Sequence, residues 1–305
     1  MPGNDLTDLE GLVTQLEADA SLGEPDHLRA RIEALDALDA YLGADAEHSR
    51  AHHDEQDAGS ESNYAAVRHR AESIRRKLEA ANAALYESIR LQIRREGRSA
   101  ALREWLEKLA RRSENGRPLP GLGYDDQDEL ISGVLAFSEP GNANSVAEPE
   151  MVFYQPTAVR HILDLIELSG LSSADVLIDL GSGMGHVPLL ASVLTGASCQ
   201  GIEVEAAYVA CAQQCARSLG LRRVTFLQQD ARTADLATGT VFHLYTPFTG
   251  AMLARMLERL RSEGANRRIK ISTLGPCTAV VAAQPWLQAT APPDPDQITL
   301  FHSRP

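Results

Sequence analysis

The stretch that most constrains this chain is a short apolar run that contains an acid and is followed at once by three alternating glycines. Residues 176–180, Val-Leu-Ile-Asp-Leu, predict a buried parallel strand. Gly181, Gly183 and Gly185 then let the backbone turn sharply and approach a ligand closely. The apolar run at residues 187–194 predicts a helix directly afterwards. A strand, a glycine turn and a helix N-terminus together indicate a nucleotide-type binding site.

Two familiar phosphate-binding patterns do not fit these glycines. The dinucleotide fingerprint places its third glycine at the sixth position, where this chain has His186. The Walker phosphate loop requires Gly-Lys-Ser/Thr, which does not follow here. The observed pattern, Asp-x-Gly-x-Gly-x-Gly from Asp179 to Gly185, resembles that of the class I S-adenosylmethionine (SAM)-dependent methyltransferases.

Two further predicted strands also end near acids. Residues 198–205 predict a strand that carries Glu203, which lies 22 positions after Gly181. A carboxylate near that separation can accept hydrogen bonds from both ribose hydroxyls. Residues 224–231 predict the next strand, with Asp230 near its end. Because parallel strands present their carboxyl ends at one edge of a sheet, we expect Asp179, Glu203 and Asp230 to converge on one ligand.

The resemblance implies a fold, a cofactor and a role for each of these residues. It implies a Rossmann-like α/β domain with a seven-stranded doubly wound sheet in the order 3-2-1-4-5-7-6, strand 7 being antiparallel. SAM would be the cofactor and S-adenosyl-L-homocysteine the product. Glu203 would hold the ribose, and Asp230 would receive the adenine amino group. The methionine end would lie against Asp179 and the glycine turn, namely Gly181, Ser182, Gly183 and Gly185.

The wording of the motifs narrows the resemblance further. Asp-Leu-Gly-Ser-Gly-x-Gly-His-Val and Gly-Ile-Glu-Val are most similar to the non-SET histone-lysine methyltransferases and to bacterial proteins that share their core. A histone substrate does not follow for this chain, because the resemblance lies in the cofactor-binding half.

Three residues are candidates for the acceptor side, where the methyl group would be transferred. Tyr154 stands in a Tyr-x-Pro-Thr sequence that lines the SAM mouth in many methyltransferases; capping of the next helix by Thr157 is equally compatible. The fourth strand ends in Tyr-Thr-Pro-Phe, where amino-methylating relatives often have Asn/Asp-Pro-Pro-aromatic. Tyr245 and Thr246 therefore occupy the acceptor positions but depart from that motif, and packing is the alternative reading of Tyr245. His186 and His243 are candidate bases, each with a purely structural role as the alternative.

These observations predict a methyltransferase that acts by in-line displacement on an unidentified acceptor, either a protein side chain or a small metabolite. The main alternative is a non-catalytic SAM-binding or scaffold protein, which the departure at Tyr245 and Thr246 would favour. A nucleic-acid methyltransferase is the weaker alternative.

The sequence of residues 1–113 predicts helices and no strands. We expect a helical domain over 1–113, a linker with one short helix over 114–150, and the methyltransferase domain over 151–305. A second helix should begin near Asp26 and stop at Gly43, and a third should run over 61–95. The third has apolar residues spaced alternately by three and four, which predicts either packing in a bundle, the favoured reading, or a homodimer interface.

Charge and composition limit the partners. The net charge of −13 weighs against a long phosphate-tracking surface, so nucleic acid is an improbable partner. Residues 1–59 hold 15 acids and 3 arginines, whereas residues 60–113 hold 13 basic residues and 7 acids, which predicts mutual neutralisation within a bundle.

His48 and His52 could bind a metal, although a solvated connector is favoured, and no metal is expected. Without a signal-like or membrane-length apolar segment, a soluble cytoplasmic protein is expected, with no membrane partner.

Overall fold

The computed structural model describes residues 3–48, 58–110, 123–141, 150–152 and 154–304. The chain forms two compact units, Met1–Ser88 and Ile89–Pro305. The predicted domain limits at 113 and 150 stay predictions. His52 lies outside the described residues, as does the side chain of His48, so the metal hypothesis is untested there. Within the described ranges, no group of three or more His, Cys, Asp or Glu residues could hold a metal ion.

The first unit is built from α-helices. It comprises α1 (Gly3–Ala18), a short 3-10 turn (Ala20–Gly23), α2 (Leu28–His48) and most of α3 (Ala58–Glu96). Apolar side chains of α1 and α2 pack against the stripe on α3 in one buried cluster that includes Leu9, Val13, Leu38, Val67, Ala71, Ile74 and Leu78. The stripe is therefore covered within its own chain, as the bundle reading predicts, and a homodimer stays a prediction. The predicted stop at Gly43 is wrong, because α2 continues through this glycine to His48.

A buried arginine ties the turn of this unit to α3. Arg31 is 1% exposed, and its Nε donates to Oδ1 of Asn82 at 2.6 Å. Its Nη atoms donate to the backbone carbonyls of Leu22, Glu24 and Pro25. Since burying a charge is costly unless its hydrogen bonds are satisfied, these acceptors are required for the guanidinium to be accommodated.

Exposed ion pairs join α3 to its acidic neighbours. Arg70 pairs with Glu17 of α1 at 2.7 Å, and Arg75 pairs with Asp39 of α2 at 3.4 Å. Such exposed pairs add little stability. They do agree with the prediction that the basic helix neutralises the acidic segment.

The second unit contains a seven-stranded sheet flanked by helices. Its elements in chain order are α4 (Ala100–Leu109), α5 (Asp126–Leu135), α6 (Val159–Ser169), β1 (Val176–Leu180), α7 (His186–Thr195), β2 (Ser198–Glu203), α8 (Ala206–Ser218), β3 (Val224–Gln228), β4 (Val241–Tyr245), α9 (Gly250–Asn266), β5 (Lys270–Leu274), α10 (Cys277–Ala282), β6 (Leu287–Ala289) and β7 (Thr299–Ser303). The strand order is β3-β2-β1-β4-β5-β7-β6, and β7 runs antiparallel to both of its neighbours. The predicted fold is confirmed.

The sheet topology sets the place of a ligand site. From β1 the chain proceeds to β2 on one side, while β4 lies on the other side of β1. This reversal is a topological switch point, where open α/β sheets bind ligands beyond the carboxyl ends of their strands. The glycine turn after β1 lies at this point. Because Leu177, Ile178 and Leu180 are fully buried, the strand that carries the turn is fixed in the core.

Two carboxylates from outside the sheet hold its flanking helices. Asp128 on α5 accepts from the backbone N–H of Asp125 and from that of Val159, the first residue of α6. The N-cap residue of α6 is Ala158, whose own side chain makes no capping hydrogen bond, so the capping role considered for Thr157 is wrong and Asp128 caps this helix instead. Glu150 accepts from the backbone N–H groups of Ala251 and Met252 and thereby caps α9.

None of the helices in the described ranges combines the length and apolar character that spanning a membrane requires.

Candidate active site and cofactor cavity

Glycine is required at all three positions of the turn after β1. The φ angles of Gly181, Gly183 and Gly185 are +83°, +51° and +87°, which side chains rarely adopt. A Cβ atom would also collide with a neighbour at each position: with Pro247 at Gly181, with the ring of Tyr154 at Gly183, and with the ring of Phe226 at Gly185. The turn is therefore packed directly against the end of β4, the segment before α6, and β3.

One cavity of about 320 Å³ opens at the carboxyl ends of β1 to β4. Eight of the ten predicted site residues line it: Tyr154, Asp179, Gly181, Ser182, Glu203, Asp230, Tyr245 and Thr246. Gly183 and Gly185 lie in the turn beneath the aromatic rings that cover them. The three acids thus surround the same small volume.

Asp179 is buried at the end of β1, with 4% of its surface exposed. Burial, together with the nearby charge of Glu203, raises the pKa of this carboxyl group to about 8. Among the described residues, no group donates a hydrogen bond to its side chain. A cationic ligand group placed here would favour the ionised form.

Glu203 is held by backbone donors. The N–H of Gly183 donates to its Oε2 at 2.9 Å, and the N–H groups of Val204 and Glu205 donate to its Oε1 at 2.7 and 2.9 Å. This carboxylate therefore links the glycine turn to the end of β2. Because three amides fix its position, it is preorganised at the wall of the cavity.

Asp230 is held by an arginine that sequence reasoning did not identify. Nε of Arg232 lies 3.0 and 2.9 Å from the two carboxylate oxygens, and its Nη2 lies 2.6 Å from Oδ2. The side-chain hydrogen bond from Arg232 is the largest cause of the lowered pKa of Asp230. The carboxylate is therefore ionised at neutral pH, and any further donor must share it with Arg232.

Aromatic rings cover the glycine turn. The Tyr154 hydroxyl lies 3.2 Å from Nδ1 of His186, and its ring centroid lies 4.9 Å from that of Tyr208. His186 begins α7, and its ring lies 4.7 Å from Phe137. Burial lowers the pKa of His186 to about 4, so the imidazole is neutral at pH 7. Tyr208, three residues after Glu205 on the helix following β2, could have been suspected from that position; Phe137 had no sequence signal.

The acceptor-side motif contains a strained residue. Thr246 has φ +37°, which is an outlier for a β-branched residue and is further disfavoured before Pro247. Its hydroxyl donates to the carbonyl of Leu274 at 2.9 Å and accepts from the N–H of Cys277 at 3.1 Å. These bonds hold Thr246 in place beside the half-buried Tyr245, whose pKa is raised chiefly by burial.

His243 does not reach the cavity. It lies fully inside the sheet on β4, and its Nδ1 is 3.2 Å from Oγ of Ser272. Burial lowers its pKa to about 3. The structural alternative therefore accounts for this histidine, and a role as base is not supported.

The strand order, the antiparallel β7 and the cavity at the switch point define the fold of the class I SAM-dependent methyltransferases, as the sequence resemblance predicts. More particularly, the family model for "Histone methylation protein DOT1" matches residues 149–235, less than a third of the chain. The matched residues include Tyr154, Asp179, Glu203 and Asp230. The similarity therefore concerns the cofactor-binding half.

Several solved structures are similar to this chain at low identity. An RNA methyltransferase from Salinibacter ruber, crystallised with S-adenosyl-L-homocysteine, is 24% identical with a TM-score of 0.40, over 49% of this chain and 92% of that chain. A putative methyltransferase, yhhF from Escherichia coli, is 17% identical with a TM-score of 0.41, over 51% and 90%. A SAM-dependent methyltransferase from Aquifex aeolicus is 16% identical with a TM-score of 0.39, over 47% and 88%. No curated protein matches the chain. Similarity at this level carries no information on the substrate.

Proposed function

We propose that this chain binds SAM in the cavity and transfers its methyl group to an acceptor by in-line displacement, with S-adenosyl-L-homocysteine as product. The observation that carries the proposal is the convergence of Asp179, Glu203 and Asp230 around one cavity beside the glycine turn. Three acids at the ends of adjacent strands suit a ligand that has an ammonium group, a ribose and an exocyclic amine. Bound SAM would supply an electrophilic methyl group on a sulfonium.

Each residue has a definable task in this proposal. Asp179 accepts from the cofactor ammonium, while the turn from Gly181 to Gly185 leaves room for its methionine part. Glu203 accepts from the ribose hydroxyls, and Asp230 accepts from the adenine amino group. The cavity walls exclude water and align the acceptor with the methyl–sulfur bond.

The acceptor side favours an enzyme over a scaffold. Tyr154, Tyr245 and Thr246 line the cavity next to Pro247, which contacts Gly181. Backbone strain of the kind found at Thr246 persists where surrounding bonds enforce it, and such residues cluster at active sites. A scaffold that had lost catalysis would have no reason to retain this strain. The acceptor is either a protein side chain or a small metabolite.

Calorimetric titration with SAM and with S-adenosyl-L-homocysteine tests binding. The folded wild-type protein should bind both, and Glu203→Ala should bind both more weakly. Glu258→Ala, which removes an exposed carboxylate on α9, is the matched control and should bind as the wild type does. Absence of heat with both ligands would refute the proposal.

Transfer of a tritiated methyl group into cell extract tests catalysis. The extract should be fractionated by size and chemical class, with heat-inactivated protein as the blank. Label in a protein or small-molecule fraction supports the enzyme and identifies the acceptor class. Binding without any transfer would instead support the scaffold alternative, and label in nucleic acid would support the weaker alternative.

A further inference from the structure

We infer that His186 is a positioning residue that accepts the hydroxyl proton of Tyr154, so that the phenol oxygen presents a lone pair to the methionine end of the cofactor cavity. This inference rests on the proposed function. It assigns His186 a role other than that of a base, and it explains why a polar ring follows the glycine turn directly.

Independent contacts hold both rings. The ring of Tyr154 covers Gly183 and lies beside that of Tyr208, so these contacts fix the ring independently of any hydrogen bond of its hydroxyl group. His186 is fixed by its place as the first residue of α7 and by its contact with Phe137. The 3.2 Å separation of Tyr154 Oη and His186 Nδ1 therefore follows from the packing of the two rings.

The direction of the hydrogen bond follows from the chemistry of the two groups. A helix N-terminus and a buried position both disfavour an imidazolium, so His186 has one nitrogen that accepts and one that donates. A phenol is the stronger acid and an imidazole nitrogen the stronger base, which favours O–H···N over N–H···O. Tyr154 thus donates to His186, and Nε2 carries the imidazole proton.

This polarity suits a positively charged ligand group. With its proton held by His186, Tyr154 offers an acceptor to the cavity instead of a donor. Asp179 lines the same cavity and adds a carboxyl group to this end. Both groups therefore complement the cationic methionine end of SAM, whereas a hydroxyl proton that pointed into the cavity would oppose it.

Two substitutions of His186 separate the proposed role from simple packing. His186→Asn keeps an acceptor near the position of Nδ1 but loses the ring, whereas His186→Phe keeps a ring against Phe137 but loses the acceptor. We expect His186→Phe to weaken SAM binding about tenfold, the size of one hydrogen bond to a charged site, and His186→Asn to stay within about threefold of the wild type. The opposite order, with Phe tolerated and Asn not, would overturn the inference.

A double-mutant cycle tests whether His186 acts through Tyr154. Tyr154→Phe should weaken SAM binding about as much as His186→Phe, and the double variant should be no weaker than either single one. Additive losses would mean that the two residues act separately, and the inference would be wrong. If the wild type bound no SAM, the proposed function itself would fail; if the wild type bound SAM and all variants matched it, only this inference would fail.

A measurement without cofactor guards against misfolded variants. The 13Cζ resonance of Tyr154, assigned by its loss in Tyr154→Phe, reports the hydrogen bond of the phenol. It should move in His186→Phe and return close to its wild-type position in His186→Asn. An unchanged resonance in a folded His186→Phe protein would show that the phenol does not donate to His186.

Discussion

Cofactor binding should depend steeply on pH, because the buried carboxyl group of Asp179 is largely protonated near neutrality. Its pKa is about 8 in the unliganded protein, through burial first and the charge of Glu203 second. A bound ammonium group favours the carboxylate and lowers that pKa. Binding therefore requires that Asp179 release its proton, and the cost of doing so falls as the pH rises.

The size of the effect follows from the pKa. At pH 7 the protonated form of Asp179 outnumbers the carboxylate by about ten to one. Removing the proton therefore reduces the free energy of SAM binding by about 1.4 kcal/mol, which lowers the affinity about tenfold. At pH 6 the loss is about a hundredfold, and above about pH 9 it disappears. A plot of log affinity against pH should rise with a slope near one and level off above about pH 8.

Isothermal titration calorimetry with SAM at pH 6 to 9 measures this dependence directly. At pH 7, titrations in two buffers of different ionisation enthalpy should show release of about one proton for each cofactor bound. Asp179→Asn, which cannot ionise, should bind weakly and without this pH dependence. A wild-type affinity that stays constant from pH 6 to 9, or binding without proton release at pH 7, would refute the reasoning.

Four further outcomes are expected. Because the pKa of Asp179 is raised on folding, the unliganded protein should lose stability as the pH rises from about 4 to about 8, and Asp179→Asn should raise the Tm at pH 8 in thermal unfolding. Glu203→Ala should weaken SAM binding by about 1–3 kcal/mol by calorimetry, because buried hydroxyl groups lose their acceptor, and unchanged affinity would remove Glu203 from the site. Gly183→Ala should weaken SAM binding at least about tenfold, because its methyl group meets Tyr154 at positive φ, whereas Gly123→Ala, which meets nothing, should have no effect. Asn82→Ala should lower the free energy of unfolding by about 1–3 kcal/mol in denaturant titrations followed by circular dichroism, since Nε of Arg31 loses its acceptor; a change below about 0.5 kcal/mol would contradict this.

The position of the three acids around one cavity was predictable because the sequence signals are local. A strand, a turn and an acid occupy a few consecutive residues, and Asp179, Glu203 and Asp230 each follow that pattern. Their convergence required only the rule that parallel strands end at one edge. The same local logic placed Tyr245 and Thr246 at the end of β4, where they line the cavity.

Residues that act over long sequence separations were not predictable in this way. Glu150 caps a helix 101 positions further along the chain, and Asp128 caps α6 from 31 positions away. No local pattern signals such a pairing. The predicted end of α2 at Gly43 was wrong for a related reason. A glycine within a helix is only mildly unfavourable, and the stability of the surrounding helix can outweigh this cost.

The strained backbone at Thr246 was likewise not predictable from the sequence. Nothing in Tyr-Thr-Pro-Phe requires a positive φ, and the sequence alone favours an extended residue before proline. The conformation depends on Leu274 and Cys277, which belong to the end of β5 and the start of α10. Sequence reasoning therefore identified the position but not its geometry.

The capping of α9 by Glu150 also sets an order of events during synthesis. Glu150 precedes β1 in the chain, yet the backbone amides that it binds belong to Ala251 and Met252. A growing polypeptide will therefore have made the glycine turn while this carboxylate still has no partner. Ala251 lies 66 positions after Gly185 (251 − 185), so Glu150 can cap α9 only after these residues have also left the ribosome, and a truncated chain that stops before α9 should lack this cap beside the cavity.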